Sequence, residues 1–487
     1  MAHDLAIRGG TLATATETFR ADIGIRDGRI VTIAEAVTDA SDVIDATDRI
    51  VMPGGIEAHC HIAQESGMGL MSSDDYQSGS ISAAFGGNSC IIPFAAQHRG
   101  MGVTETLDLY DSRAEGASVL DYSYHLIVSD PTETVLNDEL PAAFERGITS
   151  FKLFMTYDKM LVNDAQFLDV LSVARTHGAL TMVHAENAGM IKWMTDRLLA
   201  RGLSAPKYHA LSHPALAEEE AIHRAICLAK LVDAPLLIVH VSTPEGAALV
   251  AKARADGAKI YGETCPQYLF LTRDDMDKPG MEGAALMCSP PLRDTATQEV
   301  LWQHIQAGTF DVVSSDHSPY RMDESGKLAH GDNAPFTVIA NGMPGIAARL
   351  PLLFSEGVGK GRLSLPEFVA LSSTNAARLY GLLPQKGTLS IGADADIAIW
   401  DPLAKGTLSS ENQHDNAGYS PFEGWDVTGL PKTVLSRGKR IIENDKLCAK
   451  AGHGKFLPRA KFDSTGRAGY LAPELDTRQN FGADIAP

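Results

Sequence analysis

The chain opens with short runs in which apolar and polar residues alternate: DLAIRGGTL, ADIGIRDGRIVTIAE and SDVIDATDRIVM. Period-two alternation buries one face of a strand. Arg8-Gly9-Gly10 and Arg26-Asp27-Gly28 supply the turn chemistry of hairpins. The first fifty residues therefore predict a small β-structure. From Pro53 the texture changes. Eight apolar runs follow, GGIEAHCHI, GGNSCIIPFA, DYSYHLIVS, GITSFKLFM, GALTMVHAE, APLLIVHVS, AKIYGETCP and FDVVSSDH, with amphipathic stretches such as AEEEAIHRAICLAKLV between them. Strands apolar on both faces that alternate with helices predict a parallel sheet, and eight of them a closed barrel. After a helix around residues 375–380 the β texture returns with KGTLSIGADADIAIWDP and KTVLSRGKRIIEN.

The fold class that follows is α/β: a (β/α)8 TIM-like barrel over residues 53–384, carrying a small β-sandwich domain built from both chain ends, 1–52 and 385–451. The Pro- and charge-rich tail, 452–487, is expected to pack on a neighbouring subunit or on the barrel exterior. Composition narrows the function. Hydrophobic residues at 44% and charged residues at 21% suit a packed core. A net charge of −19 would repel a phosphate backbone, which argues against nucleic acid as a partner. No apolar run reaches the roughly 18 residues a membrane span needs, and MAHDLAIRGG lacks the basic-then-apolar pattern of a secretion signal. Six scattered cysteines without a CxxC read as the reduced thiols of a cytoplasmic protein.

The candidate chemistry sits at strand ends. His59 and His61 lie two apart, so one face of their strand carries both imidazoles while Cys60 points away. In a barrel that face is the interior, and active sites form where barrel strands end. His184 ends TMVHAEN, His240 ends LLIVHVST and Asp316 ends DVVSSDHSP. Four imidazoles and a carboxylate converging this way predict a site for zinc or a similar divalent ion. Lys152, inside GITSFKLFM, is out of place on a buried strand, where a bare ammonium is costly. A neutral amine that has reacted with CO2 gives a carbamate, whose two oxygens can bridge two metals. Cys60, Cys265 and Cys288 read as small buried residues, and His317 as a partner of the ligands.

Several segments together carry a resemblance: GGIEAHCH, TSFKLFMTY, MVHAEN, IVHVST, ETCPQYL, MCSPPLR, SSDHSPY, NGMPGI, STNAARLYG and QKGTLSIGADADIAIWDP. They resemble the amidohydrolase superfamily and, within it, the cyclic amidases that include dihydropyrimidinases and D-hydantoinases. The resemblance implies that His59, His61 and Asp316 hold the more buried of two zinc ions. His184 and His240 would hold the second, and Lys152, as N6-carboxylysine, would bridge both. It implies Tyr157 over the scissile carbonyl, and backbone groups of Ser289 and Asn341 on the substrate's amide edge. The implied reaction is ring opening of a hydantoin or dihydropyrimidine to an N-carbamoyl amino acid, with Asp316 as proton carrier and no organic cofactor. The implied assembly is a homotetramer, a dimer of dimers. Imidase, allantoinase and dihydroorotase chemistry stay open as alternatives, as does a non-catalytic assembly protein of the dihydropyrimidinase-like kind. One departure bears on specificity: IAQESGMGLMSSDDY places Gln64 and Glu65 where the resemblance expects apolar residues, and Pro93 where it expects Asp. If Gln64 and Glu65 line the pocket, they disfavour phenyl and other apolar ring substituents.

Overall fold

The computed structural model describes residues 3–464 and 468–485. Its central sheet is parallel throughout. The strands are β1 (Gly55–Cys60), β2 (Asn88–Ala96), β3 (His125–Ile127), β4 (Ser150–Phe154), β5 (Leu180–His184), β6 (Leu236–Ile238), β7 (Ile260–Thr264) and β8 (Val312–Val313), each paired with the next in sequence order. A parallel bridge between Cys60 and His317 brings the run after β8 back beside β1, closing the barrel. DYSYHLIVS divides into Asp121–Tyr122 and His125–Ile127, both beside β2. FDVVSSDH keeps only two residues as strand.

Helices cover the outside and bury one stripe each. In Asp164–His177 the stripe is Phe167, Val170, Leu171 and Ala174, spaced three and four apart. Asn163 and Gln166 cap its start reciprocally, and Gly178, at φ 76°, ends it in the left-handed region that glycine occupies without penalty.

Both chain ends meet in β-structure. Ile50–Pro53 pairs antiparallel with Ile397–Thr407, inside a seven-stranded sheet that also takes Thr11–Ala13 and Asp426–Ser436. A four-stranded sheet from residues 3–45 packs over it around Leu5, Ile23, Val51, Ile397 and Leu435. The α/β barrel with an added two-ended β domain is therefore the observed fold. The described part of the tail runs over the barrel's lower rim. The N–H of Arg459 donates to Gly147 O, that of Phe462 to Gly178 O and that of Gly469 to Gly257 O, each a turn that leads into a barrel strand. Tail residues 465–467 and 486–487 lie outside the described region. Among the described residues, no helix is long and apolar enough to cross a membrane.

A buried ion cluster joins the two units. The Lys386 ammonium, 1% exposed, lies 2.6 Å from Asp121 beside the barrel, 3.0 Å from Asp394 and 2.8 Å from Asp396. Burial opposes that charge, but the carboxylates outweigh it and hold the lysine above its ordinary value. Replacing Lys386 with Met should leave the buried Asp394 and Asp396 without their ammonium, while Asp121 keeps Arg437. We expect a loss of about 3–5 kcal/mol, read as a lower denaturant midpoint; Lys386→Arg should retain more than half of the midpoint difference.

Candidate active site

All nine residues singled out by the sequence line one pocket at the barrel mouth: His59, His61, Lys152, Tyr157, His184, His240, Ser289, Asp316 and Asn341. Its volume is about 150 Å³. Several of them reach it through unusual backbone. His240 (φ 39°) and Asp316 (φ 50°) lie beyond the last residues of β6 and β8, and Tyr157 (φ 68°) lies beyond β4. Left-handed conformation is costly for side-chain-bearing residues and persists where the surroundings impose it. Here it turns three chemical groups off their strands and into the mouth.

His59, His61 and Asp316 bring their ligand atoms within 4.8 Å of one another. Asp316 Oδ1 lies 3.1 Å from His59 Nε2 and 3.2 Å from His61 Nε2. His184 and His240 lie in the same pocket with ring centroids 4.6 Å apart, but outside that three-residue group. Each of three imidazoles has an acceptor behind it. His59 Nδ1 lies 2.6 Å from Glu263, His61 Nδ1 2.8 Å from the Gln64 amide oxygen, and His184 Nε2 2.8 Å from Glu186. When these nitrogens donate, the opposite nitrogen of each ring keeps its lone pair for a metal. Among the described residues, His240 Nδ1 is buried without a hydrogen-bond partner, and His59 Nε2 has only the Asp316 carboxylate beside it. Buried orphan nitrogens are rare unless something else uses them. Neutral imidazoles, an ionised aspartate and an unspent nitrogen are the donor set a divalent ion takes.

The electrostatics of His184, His240 and Asp316 fit that donor set, whereas His59 is biased toward its charged form by the carboxylates beside it. Burial drives His184 down to about 3, and His240 well below its ordinary value. Burial lowers His59 too, but the Glu263 and Asp316 carboxylates outweigh it and raise His59 to about 8. Burial works against the Asp316 carboxylate, yet His59 and His61 hold it well below the usual range. Lys152 is 1% exposed, with Nζ 5.0 Å from the Phe94 ring centroid and 5.2 Å from that of Phe154. Burial brings its ammonium down to about 8. Tyr157 is pushed above its ordinary value by burial and the nearby Glu186, against hydrogen bonds to Ser289 and Asn341, so it stays a protonated donor. Burial also raises the thiols of Cys60, Cys265 and Cys288, the last to about 12, which removes them as nucleophiles.

The supporting residues are the part sequence reading missed. Glu57 accepts from the N–H of His59 at 3.0 Å and of Ser315 at 3.2 Å, and pairs with the fully buried Arg349 at 2.9 Å. Glu57 and His59 share one face of β1, with His61 two residues on, just past its end, so period two already pointed at Glu57. Glu263 and Glu186 were legible as carboxylates inside apolar strand motifs. Lys327, 1% exposed, donates to Ala340 O at 2.9 Å and lies 3.4 Å from Met287 O, bracing the segments that carry Asn341 and Ser289. His317 donates to Asp74 at 2.9 Å and accepts from the Gly345 N–H at 3.1 Å, so it acts behind the ligands. Gln64 lines the pocket with its amide oxygen committed to His61, whereas the exposed Glu65 lies outside the pocket lining. The expected exclusion of apolar substituents by Glu65 therefore has no support. Pro93 is buried within β2, paired in register with Cys60.

Comparison with known proteins gives one answer. A model of the amidohydrolase family matches residues 50–441. A D-hydantoinase from Ralstonia pickettii is 42% identical over 460 residues, covering 94% of this chain and 99% of its own. A D-hydantoinase from Geobacillus stearothermophilus is 42% identical, with 94% and 96% covered. The crystal structure of a dihydropyrimidinase from Brevibacillus agri superimposes with a TM-score of 0.91 at 42% identity, with 94% and 99% covered.

The Glu263–His59 contact makes a testable link. Glu263→Gln keeps the shape and removes the carboxylate behind the imidazole. Divalent-metal affinity, titrated against a chelator, should fall about 10–100-fold; an unchanged affinity would assign Glu263 to packing alone.

Proposed function

The chain belongs to the amidohydrolase family, among its hydantoinases and dihydropyrimidinases, and on that premise we propose how its barrel mouth performs the metal-dependent hydrolysis of cyclic amides. The substrate class is a hydantoin or a dihydropyrimidine, opened to an N-carbamoyl amino acid. The observation that carries the reading is the single pocket in which four imidazoles, an ionised aspartate, a buried lysine and a protonated tyrosine converge. His59, His61 and Asp316 would hold one divalent ion, His184 and His240 a second, with Lys152 as a carbamate between them and zinc as the metal. Ions bound there lower the pKa of a water and polarise a carbonyl.

The rest is the work of this chain's own groups. Ser289 and Asn341 place the CO–NH–CO edge of the ring, and the Gly342 N–H, donating to Met287 O at 2.9 Å, ties their two segments together. Tyr157, protonated at working pH, donates to the oxygen that becomes negative as water adds to the carbonyl carbon. Asp316 accepts the proton released by that water and returns it to the ring nitrogen as the C–N bond breaks. A lysine carbamate is an anion, and it replaces the uncompensated ammonium that burial otherwise disfavours at Lys152.

Two alternatives lose ground. Among the described residues, Lys152 is the only lysine or arginine on the pocket lining, so a carboxylate attached directly to the ring, as in dihydroorotate, meets no dedicated counter-ion. A purely structural relative would have no use for an unspent buried nitrogen at its mouth. The homotetramer belongs to the same proposal. Met190, Trp193, Leu199, Leu211 and Leu216, all exposed within residues 188–216, are apolar side chains that such an assembly would cover. A cytoplasmic location fits the free cysteines.

Elemental analysis should find about two divalent ions per chain, and Lys152→Ala should lose most of them with the activity. Reloading apo-protein with zinc should depend on bicarbonate. A Lys152→Ala protein with full metal and normal turnover would remove the bridge from this scheme. Asp316→Asn should lower kcat by at least about 10²-fold, and Tyr157→Phe by about 10²–10³-fold with metal retained; near-normal kcat in either reassigns that role.

A further inference from the structure

A second cavity of about 200 Å³ lies against the ring pocket, and the two share Gly67 and Met160. Its remaining lining includes His98, Arg99 and Lys159, with Glu65 as the one acid. Arg99 is held at the wall by the loop that follows β4: Nε donates to Lys159 O at 3.1 Å and Nη2 to Leu161 O at 2.8 Å. Among the described residues, no ion pair joins Arg99, Lys159 or His98 to a carboxylate. Elsewhere Lys386 is paired with three aspartates and Arg293 with Glu218. Glu65 Oε1 faces Gly69, 3.9 Å from where a Cβ on that glycine would stand. The nearby Asp130 carboxylate accepts the Gly100 N–H at 2.9 Å.

In a chain of net charge −19, two fixed cations and a histidine facing one cavity are against the prevailing sign. The wall the two cavities share is made of Gly67, which has no side chain, and the flexible Met160. We infer that this cavity is a specificity subsite for a carboxylate carried at the end of a short alkyl substituent on the substrate ring, bound by Arg99 and Lys159. The inference rests on the proposed ring opening and adds the substituent class. It separates two kinds of anion. A carboxylate directly on the ring stays in the pocket that has only Lys152, whereas one on a tether crosses the shared wall and meets both cations. Both cations are exposed, so the attraction is moderate and sensitive to salt.

The test compares, on the metal-loaded enzyme, kcat/KM for hydantoin bearing a carboxyethyl group with that for its neutral carbamoylethyl analogue. The acid should be preferred by about three- to thirtyfold at low salt, and the preference should shrink as salt is raised. Lys159→Glu should abolish or invert the ratio, and Lys159→Arg should restore it; because the ratio is read within one protein, a general loss of activity cancels. Equal values for acid and amide, or a preference that survives Lys159→Glu, would overturn the subsite while leaving the ring-opening reaction in place. A metal-loaded protein that opens neither unsubstituted hydantoin nor dihydrouracil would overturn the reaction, and the subsite with it.

Discussion

The barrel interior is closed and apolar, and yet it must keep charges there. That constraint organises the rest. Arg349 and Glu57, both fully buried, form an ion pair among the strands. Such a pair is weak evidence for stability, because desolvation offsets most of the attraction. Its value here is positional. Arg349 also donates to Val313 O at 2.8 Å and Ile56 O at 3.2 Å, and Glu57 accepts from the backbone of His59 and Ser315. One buried pair thus fixes β1 against the end of β8, the two elements that carry His59, His61 and Asp316.

The same logic continues toward the mouth. Glu263 lies behind His59 and also accepts from the His240 N–H at 3.2 Å, so one carboxylate sets the tautomer of the first residue and the backbone of the second. Glu186 acts similarly on His184, and Gln64 on His61. The rings of His59, His61 and His184 are thus each oriented by an acceptor behind them. The left-handed backbone at His240 is held by this framework, its N–H bonded to Glu263.

Control of the mouth also reaches into the β domain. The stretch between Ile397–Thr407 and Asp426–Ser436 leaves its sheet and crosses to the barrel, where the Asn416 N–H donates to Asp74 at 3.0 Å. Asp74 holds His317, the residue after Asp316. The two-ended β domain is therefore coupled to the residue next to Asp316 through one carboxylate and one imidazole. The tail, running past Gly147, Gly178 and Gly257, seals the opposite rim.

Read alone, the sequence pointed to the barrel, the two-ended β domain and six of the nine pocket residues, His59, His61, Lys152, His184, His240 and Asp316, while Tyr157, Ser289 and Asn341 came from the family resemblance. Local pattern suffices for that: near-continuous apolar runs between amphipathic helices can only stack as parallel strands, and period two puts His59 and His61 on one face. What it could not determine were quantities that depend on contacts between distant segments. The short strands at β6 and β8, the turn of His240 and Asp316 off their ends, and the partners Glu263, Glu186 and Arg349 all follow from which strands become neighbours. The fate of Gln64 and Glu65, adjacent in sequence, was decided only in three dimensions. One is buried with its oxygen on His61, and the other stays in solvent beside a second cavity. Adjacent side chains on an irregular loop have no fixed periodicity, so no pattern in the chain could tell them apart; only the packing of that loop against β1 and the segment after β4 does.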